Sequence, residues 1–309
     1  MKKIGVVGLG LKNPYTYVPI LRNKGAKVVV VYDTFFALAE EFAGRFGCKV
    51  VYDIKDFPFD YVDGVIIESI NKDHLFYAEE FIRRNIPCFI EKPLSNDSDS
   101  ALSFIEKNKG KLWFSASPLR FSPLYNAMAL DISRRNEKLN HIDVTVYHTM
   151  EHFLSNPEKT WHDRYSEGGG MMVDIGIHAI EILNLLKKGN ITDLSYYFKN
   201  SYYKNSQSGD VHKLIIEYED KTMANISLVC CTRHLDYKVE CCSLNHYYAN
   251  SNENPYLKGN YDAENAYGGF DATIDAFLNM INTQITPFDV GETIRNFELL
   301  KKIKEKTSI

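Results

Sequence analysis

The first hundred residues alternate between short apolar runs and longer amphipathic stretches. The short runs are rich in Val and Ile and predict strands, whereas the stretches between them have the period of amphipathic helices. Strands are predicted at 4–7, 27–32, 48–51, 62–67 and 87–90, and helices at 15–23, 34–46 and 74–85. Strands that alternate with helices indicate α/β architecture with a doubly wound parallel sheet.

The pattern changes in the second half of the chain. Residues 141–148 alternate between apolar and polar side chains, and further strands are predicted at 194–198, 213–218 and 223–230. Because no helix is predicted between the last of these strands, they favour an antiparallel sheet and an α+β domain. Residues 247–265 are polar and predict a long loop, and a helix is predicted at 271–282.

Composition excludes several classes of protein. The net charge of −4 over 309 residues is spread along the chain, without the basic stripe that nucleic-acid binding requires. No apolar stretch approaches the roughly 18 residues of a membrane helix. Six cysteines without a Cys-x-x-Cys pattern do not indicate a disulfide framework. We therefore expect a cytoplasmic protein of about two domains.

A glycine turn follows the first predicted strand. Gly8 and Gly10 come directly after the strand, and Asp33 ends the second strand. This arrangement is typical of a dinucleotide-binding βαβ unit, in which the glycines admit the pyrophosphate and the acid binds the ribose hydroxyls. Asn13 stands at the third glycine position and can donate to a phosphate. The alternative is a flavodoxin-like domain with a chance Gly-x-Gly.

Asp33 also bears on the choice of cofactor. Its carboxylate repels a 2′-phosphate, and residues 34–36 offer no Arg to hold one. NAD is therefore preferred over NADP.

Polar residues gather at the ends of the later strands. Asn71 and His74 follow the fourth strand, and Glu91 and Lys92 follow the fifth. Ligand groups lie at the carboxyl ends of strands in a doubly wound sheet. Pro93 restricts Lys92 to an extended conformation, which directs its side chain. These residues are candidates for a cofactor site.

Three consecutive glycines, residues 168–170, precede an apolar segment of helical period. Asp174 and His178 lie four residues apart in it, so on a helix they share one face. A carboxylate beside an imidazole can orient the ring for proton transfer, and glycines admit a ligand close to the backbone. The alternative is an ordinary helix with a surface Asp and a His that is hydrogen-bonded within the core.

Three histidines and an acid invite a metal-site interpretation. His148, Glu151, His152 and His162 match no zinc spacing, and placement on strands or loops would scatter them. We predict no metal, and assign these residues to the rim of a substrate pocket or to the surface. Tyr147 and Trp161 are predicted to form walls of that pocket.

Taken together, these motifs resemble those of the Gfo/Idh/MocA oxidoreductases. The matching features are the glycine turn, the strand ending in an acid, Asn71-x-x-His74, Glu91-Lys92-Pro93 and the glycines followed by Asp174 and His178. The segment from Leu119 resembles the entry to the family's second domain, which implies a Rossmann domain over 1–118 and a substrate domain over 119–309. The resemblance implies a large, open, mostly antiparallel sheet that pairs subunits into a homodimer or homotetramer.

The resemblance also implies a reaction and roles for its residues. The reaction is hydride transfer between NAD(P) and a hydroxyl or carbonyl carbon of a sugar, inositol or polyol. Lys92 matches the lysine at the nicotinamide ribose and reacting oxygen, Asp174 a substrate-binding acid, and His178 the acid/base. Ser69 begins a loop that departs from the family's Thr-Pro, and Glu181 replaces a shorter Asp and is predicted to bind a substrate group.

These inferences define two predicted sets of residues. The cofactor set is Gly8, Gly10, Asn13, Asp33, Ser69, Asn71, His74, Glu91 and Lys92; the substrate set is Lys92, Tyr147, Trp161, Asp174, His178 and Glu181. Two alternatives stay open. One is a redox-neutral glycosidic cleavage through transient oxidation with retained NAD, and the other is an inactive nucleotide-binding regulator.

Overall fold

The computed structural model describes residues 1–10, 13–250 and 264–307. The first half forms a six-stranded parallel sheet in the order β3-β2-β1-β4-β5-β6. Its strands are β1 Lys2–Val7, β2 Ala26–Tyr32, β3 Lys49–Val51, β4 Gly64–Ile67, β5 Cys88–Ile90 and β6 Trp113–Ser115. The predicted doubly wound sheet is confirmed. The strand order reverses between β1 and β4, and ligands bind at such a switch point.

The helices of this half connect successive strands. They are α1 Asn13–Asn23, α2 Phe36–Phe46, α3 His74–Ile82 and α4 Ser98–Lys107, with shorter 3-10 turns at Ile54–Asp56, Phe59–Tyr61 and Asn71–Asp73. The three predicted helices are confirmed with shifts of two or three residues at their ends. α3 ends early because Asn85 adopts a left-handed conformation and Pro87 follows it.

The second half forms a second six-stranded sheet in the order β12-β11-β7-β10-β9-β8. Its strands are β7 His141–Thr149, β8 Ile191–Lys199, β9 Val211–Tyr218, β10 Met223–Val229, β11 Cys231–Cys242 and β12 Tyr247–Ala249. All neighbours are antiparallel except β7 and β10, which are parallel. The predicted mostly antiparallel sheet is confirmed. Most of the predicted 247–265 loop, residues 251–263, lies outside the described residues.

Seven helices follow β6 among the described residues. They are α5 Pro118–Phe121, α6 Pro123–Arg135, α7 Glu151–Leu154, α8 Met171–Asp174, α9 Gly176–Leu186, α10 Gly269–Thr283 and α11 Val290–Thr307, with 3-10 turns at Pro157–Asp163 and Ala266–Gly268. The predicted helix at 271–282 is confirmed within α10. α9 is buried along nearly its whole length, since it packs against the inner face of the second sheet.

The chain returns to the first sheet through α10. Ile274, Phe277 and Ile281 join the same apolar cluster as the residues of β1 and α1. A Cβ at Gly64 would lie 2.7 Å from Ile281 and 2.9 Å from Phe277, so the absence of a side chain there admits the helix. The division at residue 118 stays a prediction. The first core is nevertheless completed by residues from beyond it, because helical periodicity does not reveal which sheet a helix covers.

The start of α10 contacts the chain between the two sheets. A Cβ built on Gly269 would lie 1.9 Å from the carbonyl oxygen of Pro118, which is backbone and cannot move alone. We expect Gly269→Ala to lower the free energy of unfolding by about 1–3 kcal/mol or more, as overpacking does. Gly44→Ala is the matched control, because nothing lies within 4 Å of the added Cβ. The control should be neutral or stabilising by about 0.5–1 kcal/mol. Equal urea midpoints for both variants would contradict this packing.

Candidate active site

A cavity of about 450 Å³ is lined by residues from both halves of the chain. The lining includes ionisable groups that follow β5 or belong to α8 and α9. It also includes residues on or near β7 and β11. The lining residues are Asn13, Glu91, Lys92, Pro118, His148, His152, Phe153, Lys159, His162, Asp174, Ile175, His178, Leu235, Tyr237, Glu264 and Phe270.

Lys92 and Asp174 form the ionic centre of the cavity. The Lys92 ammonium donates to the Asp174 backbone oxygen at 2.9 Å and lies 3.4 Å from Asp174 Oδ1. Asp174 also accepts from Asn71 Nδ2 at 3.1 Å and contacts His162 Nδ1 at 2.7 Å. Burial acts to raise the pKa of Asp174, but Lys92 and His162 outweigh it and hold the pKa below its usual range. The carboxylate is therefore ionised and fully occupied.

His178 also lines the cavity but has a different partner. Its Nδ1 is 2.5 Å from Ser117 Oγ, and its ring meets Tyr237 edge to face at 5.6 Å. Burial, with Lys92, lowers the pKa of His178 well below its usual value. The interpretation that Asp174 orients His178 is wrong, because the helix is interrupted at Ile175 and the carboxylate is taken by other donors.

The three glycines serve packing within the protein. A Cβ at Gly168 would lie 2.5 Å from the backbone oxygen of Trp161, and Gly169 and Gly170 have φ of +87° and +79°. The Gly168 oxygen accepts from Asn71 Nδ2 at 2.8 Å. None of the three is among the residues that line the main cavity. The expectation that a ligand approaches these glycines closely is therefore not met at the main cavity. The glycines instead allow the segment that leads to Asp174 to pack tightly against the rest of the protein.

His162 was predicted at the pocket rim or the surface and not in the substrate set, but it contacts the ionic centre directly. Its ring stacks on Trp161 at 3.6 Å and on Phe153 at 4.0 Å while its Nδ1 contacts Asp174. His148 and His152 line the same cavity, in keeping with the predicted pocket rim, so these three rings are not scattered as expected. Glu151 lies outside the cavity and pairs with Arg233. The position of His162 next to Trp161 was the available sequence signal. Across the described residues, no group of three or more His, Cys, Asp or Glu side chains could hold a metal ion.

Ser117 was not predicted from the sequence to belong to the site. It caps the short helix α5, its hydroxyl accepting from Leu119 N at 3.1 Å, and the same hydroxyl holds His178. Its backbone N–H donates to Glu181 Oε2 at 2.7 Å. Glu181 was predicted to bind substrate, but it lies behind Ser117 and outside the residues that line the main cavity. Burial raises the pKa of Glu181 to about 8.

A smaller cavity of about 90 Å³ lies at the glycine turn. It is lined by Gly8, Gly10, Asp33 and Ser69 of the predicted cofactor set, together with Tyr32, Thr34, Ile70, Asp73 and Tyr77. Gly8 has φ of +88°, and a Cβ there would lie 2.3 Å from Ser69 N. Gly10 has nothing within 4 Å of an added Cβ. A turn with this open side, next to the start of α1, fits a dinucleotide phosphate.

Asp33 shapes this turn directly. Its two carboxylate oxygens accept from the backbone N–H groups of Leu9 and Phe35, both at 2.6 Å. Asn13 lies at the start of α1 and lines the main cavity rather than the small one. The glycine turn therefore borders the small cavity, and the start of α1 borders the main cavity. This arrangement suits an elongated cofactor that extends from one cavity to the other.

Besides Glu181, four more predicted residues lie outside both cavities. His74 is fully buried, with its ring nitrogens 2.8 Å from the backbone oxygens of Ser69 and Pro93, so it joins the loops after β4 and β5. Asn71 supports Asp174, and Trp161 supports His162. Tyr147 packs near His234 and Lys238. These side chains position their neighbours rather than line the cavities.

The fold and the two cavities define a dinucleotide-binding α/β protein with an adjoining polar pocket. A family model described as the oxidoreductase family with an NAD-binding Rossmann fold matches residues 2–114. The model of the GFO/IDH/MocA C-terminal domain matches residues 138–241. The chain belongs to the Gfo/Idh/MocA oxidoreductase family, as the sequence motifs predicted.

Curated relatives are dehydrogenases. Inositol 2-dehydrogenase of Rhizobium meliloti (strain 1021) is 27% identical over 190 residues, covering 60% of this chain and 54% of the relative. Glucose-6-phosphate 3-dehydrogenase of Bacillus subtilis (strain 168) is 27% identical over 188 residues, covering 59% of this chain and 53% of the relative. The chain thus matches about half the length of these relatives.

A solved structure extends the likeness over the whole chain. Apo scyllo-inositol dehydrogenase from Lactobacillus casei superposes with a TM-score of 0.82 at 18% identity, covering 100% of this chain and 96% of that one. At this identity the likeness establishes the fold alone.

The buried ion pair predicts a pH-dependent effect on stability. Asp174→Asn leaves the Lys92 ammonium buried without its anion, so we expect the free energy of unfolding to fall by about 3–5 kcal/mol at neutral pH. Because the folded pKa lies below the unfolded value, the carboxylate stabilises the fold above about pH 4 and loses that effect on acidification. The difference in the free energy of unfolding between wild type and variant should therefore be smaller at about pH 3 than at about pH 6. Urea unfolding at both pH values measures it.

The control for this experiment is Asp131→Asn. Asp131 pairs with Arg135 at 2.7 Å in a partly exposed contact, whose loss should cost at most about 1 kcal/mol. A stability gap for Asp174→Asn that does not change with pH would contradict the assigned role of the carboxylate.

Proposed function

We propose that this protein is an NAD-dependent dehydrogenase or reductase that acts on a CH–OH group of a sugar-, inositol- or polyol-like molecule. The observation that supports this most strongly is the convergence of Lys92, Asp174 and His178 on one cavity next to the glycine turn. The family supplies the class of reaction, and the names of the curated relatives supply the class of substrate.

The geometry supports a division of labour between His178 and Lys92. Since Ser117 holds Nδ1 of His178, Nε2 is the nitrogen left to exchange a proton with a substrate hydroxyl. The lowered pKa keeps the ring neutral, so it accepts a proton at neutral pH. The Lys92 ammonium, anchored by Asp174, can stabilise the negative charge that develops on the substrate oxygen. A bound nicotinamide would accept or supply the hydride.

The cavity supports a small polar ring as substrate. Its volume of about 450 Å³ lies within the range of small-molecule sites. His148, His152 and Lys159 add polar groups around the ionic centre, and Phe153 and Leu235 offer apolar surface to a ring face. We infer that the imidazoles and Lys159 bind hydroxyl groups away from the reacting carbon.

NAD is the cofactor that we propose for this chain. The Asp33 carboxylate stands at the small cavity, where it can accept from ribose hydroxyls and would repel a 2′-phosphate. No Arg or Lys lines that cavity among the described residues.

Assembly and location remain predictions. An open sheet with an exposed Tyr197 on its edge strand β8 supports pairing of subunits as a homodimer or homotetramer. Across the described residues, no helix is long and apolar enough to cross a membrane. We propose a cytoplasmic location from the absence of a disulfide pattern.

The experiment that tests the proposed function is an oxidation assay. Inositols, aldoses and linear polyols are supplied with NAD, and reduction is followed by nicotinamide absorbance. Turnover with one of these compounds supports the dehydrogenase. Tightly retained NAD with substrate cleavage but no net absorbance change would favour the redox-neutral alternative. Nucleotide binding with no conversion of any kind would favour the inactive regulator.

His178→Gln should reduce turnover by about 10²–10⁴-fold, because the variant lacks the proton acceptor. The dissociation constant for NADH, measured by fluorescence, should change little. The wild-type acid limit of kcat/KM for oxidation should lie below pH 6.5, since the pKa of His178 is lowered. His141→Gln, at the opposite end of β7 from His148, is the control and should retain full turnover. Unimpaired His178→Gln would remove this residue from the mechanism.

Asp33→Asn should weaken NAD binding and improve binding of NADP relative to NAD. The substitution removes the charge that disfavours the 2′-phosphate while keeping the shape of the side chain. Titration of both reduced nucleotides by fluorescence measures the ratio. Equal affinity of the wild type for both would contradict the proposed preference.

A further inference from the structure

Two buried carboxyl groups stand at neighbouring strand ends and have no part in the scheme above. Glu68 directly follows β4, and Glu91 directly follows β5. Both residues are 0% exposed. Because β4 and β5 are adjacent parallel strands, the two side chains leave the same edge of the sheet.

The polar atoms of this pair are incompletely satisfied. Within the described part of the chain, both Glu68 carboxyl oxygens and Glu91 Oε1 are buried without a hydrogen bond of ordinary geometry. Glu91 Oε2 accepts from the Tyr17 hydroxyl at 3.2 Å. Unpaired buried oxygens cost free energy, so they indicate a proton or a ligand donor that completes the pair.

The pair also lies where the cofactor would bind. Glu91 lines the main cavity next to Lys92. The backbone of Glu68 packs against the glycine turn, since a Cβ on Gly8 would lie 2.5 Å from the Glu68 carbonyl carbon. Glu91 therefore borders the main cavity, and the backbone of Glu68 borders the glycine turn.

On the basis of the proposed function, we infer that Glu68 and Glu91 share one proton in the free protein and release it when the oxidised, positively charged cofactor binds. The proton leaves a carboxyl oxygen for solvent, and the pair's additional negative charge then faces the cationic nicotinamide ring. Reduced cofactor carries no charge on that ring, so it does not drive the release. The pair would thus favour the oxidised cofactor increasingly as pH rises.

The charged surroundings of the pair agree with this inference. Burial raises the pKa of both groups, that of Glu91 to about 7. The charge of Glu91 raises the pKa of Glu68 further, whereas the interaction with Glu68 favours the ionised form of Glu91, so the two carboxyl groups titrate as a pair. Lys92 and the Tyr17 hydroxyl of α1 favour the ionised form of Glu91. Among the described residues, Glu181 of α9 also interacts electrostatically with Glu91, and its own pKa is raised by burial to about 8. Small changes in charge nearby therefore shift the proton.

Proton release upon binding of NAD⁺ tests the inference. Isothermal titration calorimetry at pH 7 in two buffers of different ionisation enthalpy gives the number of protons exchanged. We expect wild type to release a fraction of a proton, up to one, with NAD⁺ and close to none with NADH. Over the pH range of release, NAD⁺ affinity should rise by up to tenfold per pH unit. No release with NAD⁺ anywhere between about pH 6 and 8 would overturn the inference.

Variants identify the groups responsible. In Glu68→Gln, a single carboxyl group remains beside Lys92 with an amide donor next to it, so release and the pH dependence of affinity should disappear. Tyr17→Phe removes a donor to ionised Glu91, so the midpoint of release should move to higher pH. Glu106→Gln, on the exposed face of α4, is the control and should behave as wild type.

The outcomes separate this inference from the proposed function. Undiminished release in Glu68→Gln would overturn the carboxyl pair while leaving the dehydrogenase intact. Failure of wild type to bind either nucleotide would instead contradict the proposed function itself.

Discussion

The ion pair between Lys92 and Asp174 holds the site together, because it joins the two halves of the molecule at their meeting point. Lys92 follows a strand of the parallel sheet, and Asp174 ends the short helix α8, which packs beside α9 in the second half of the chain. Both charges are removed from water, which is unfavourable unless each is well paired. Asn71 and His162 supply the additional hydrogen bonds that the carboxylate requires. The same contacts that offset desolvation also fix the positions of the reacting groups.

Much of the remaining architecture supports that pair. The glycines at 168–170 allow their loop to pack on the backbone of Trp161 and His162, and Trp161 stacks on His162. Met171 N, at the start of α8, donates to Ser208 Oγ, and that hydroxyl in turn donates to Asp163. The short helix α8 is thereby held at both ends, by Met171 at its start and by Asp174 at its end. Rigid support of this kind keeps a site in its working geometry.

Burial sets the protonation of the groups around the cavity in opposite directions. It keeps His178 neutral and raises the pKa of Glu91 and Glu181, while Lys92 and the hydrogen bonds from His162 and Asn71 keep Asp174 ionised. A neutral imidazole near an anchored ammonium suits the removal of a proton from an alcohol. The same buried surroundings therefore place a neutral base, His178, beside a cation, Lys92, that can stabilise a negative charge on the substrate oxygen.

The sequence alone predicted the two sheets, the glycine turn with Asp33, and Lys92, Asp174 and His178 as the candidate site. Strand periodicity, residues at strand ends and the spacing of Asp174 and His178 after the glycines are all local signals, which together resemble one family. Tertiary structure decided which partner each side chain takes. Asp174 binds His162 rather than His178, Ser117 holds His178, Glu181 lies behind Ser117, and α10 completes the first core. These contacts join residues far apart in the chain, and the geometry of packing, which spacing along the sequence does not specify, selects among the possible partners.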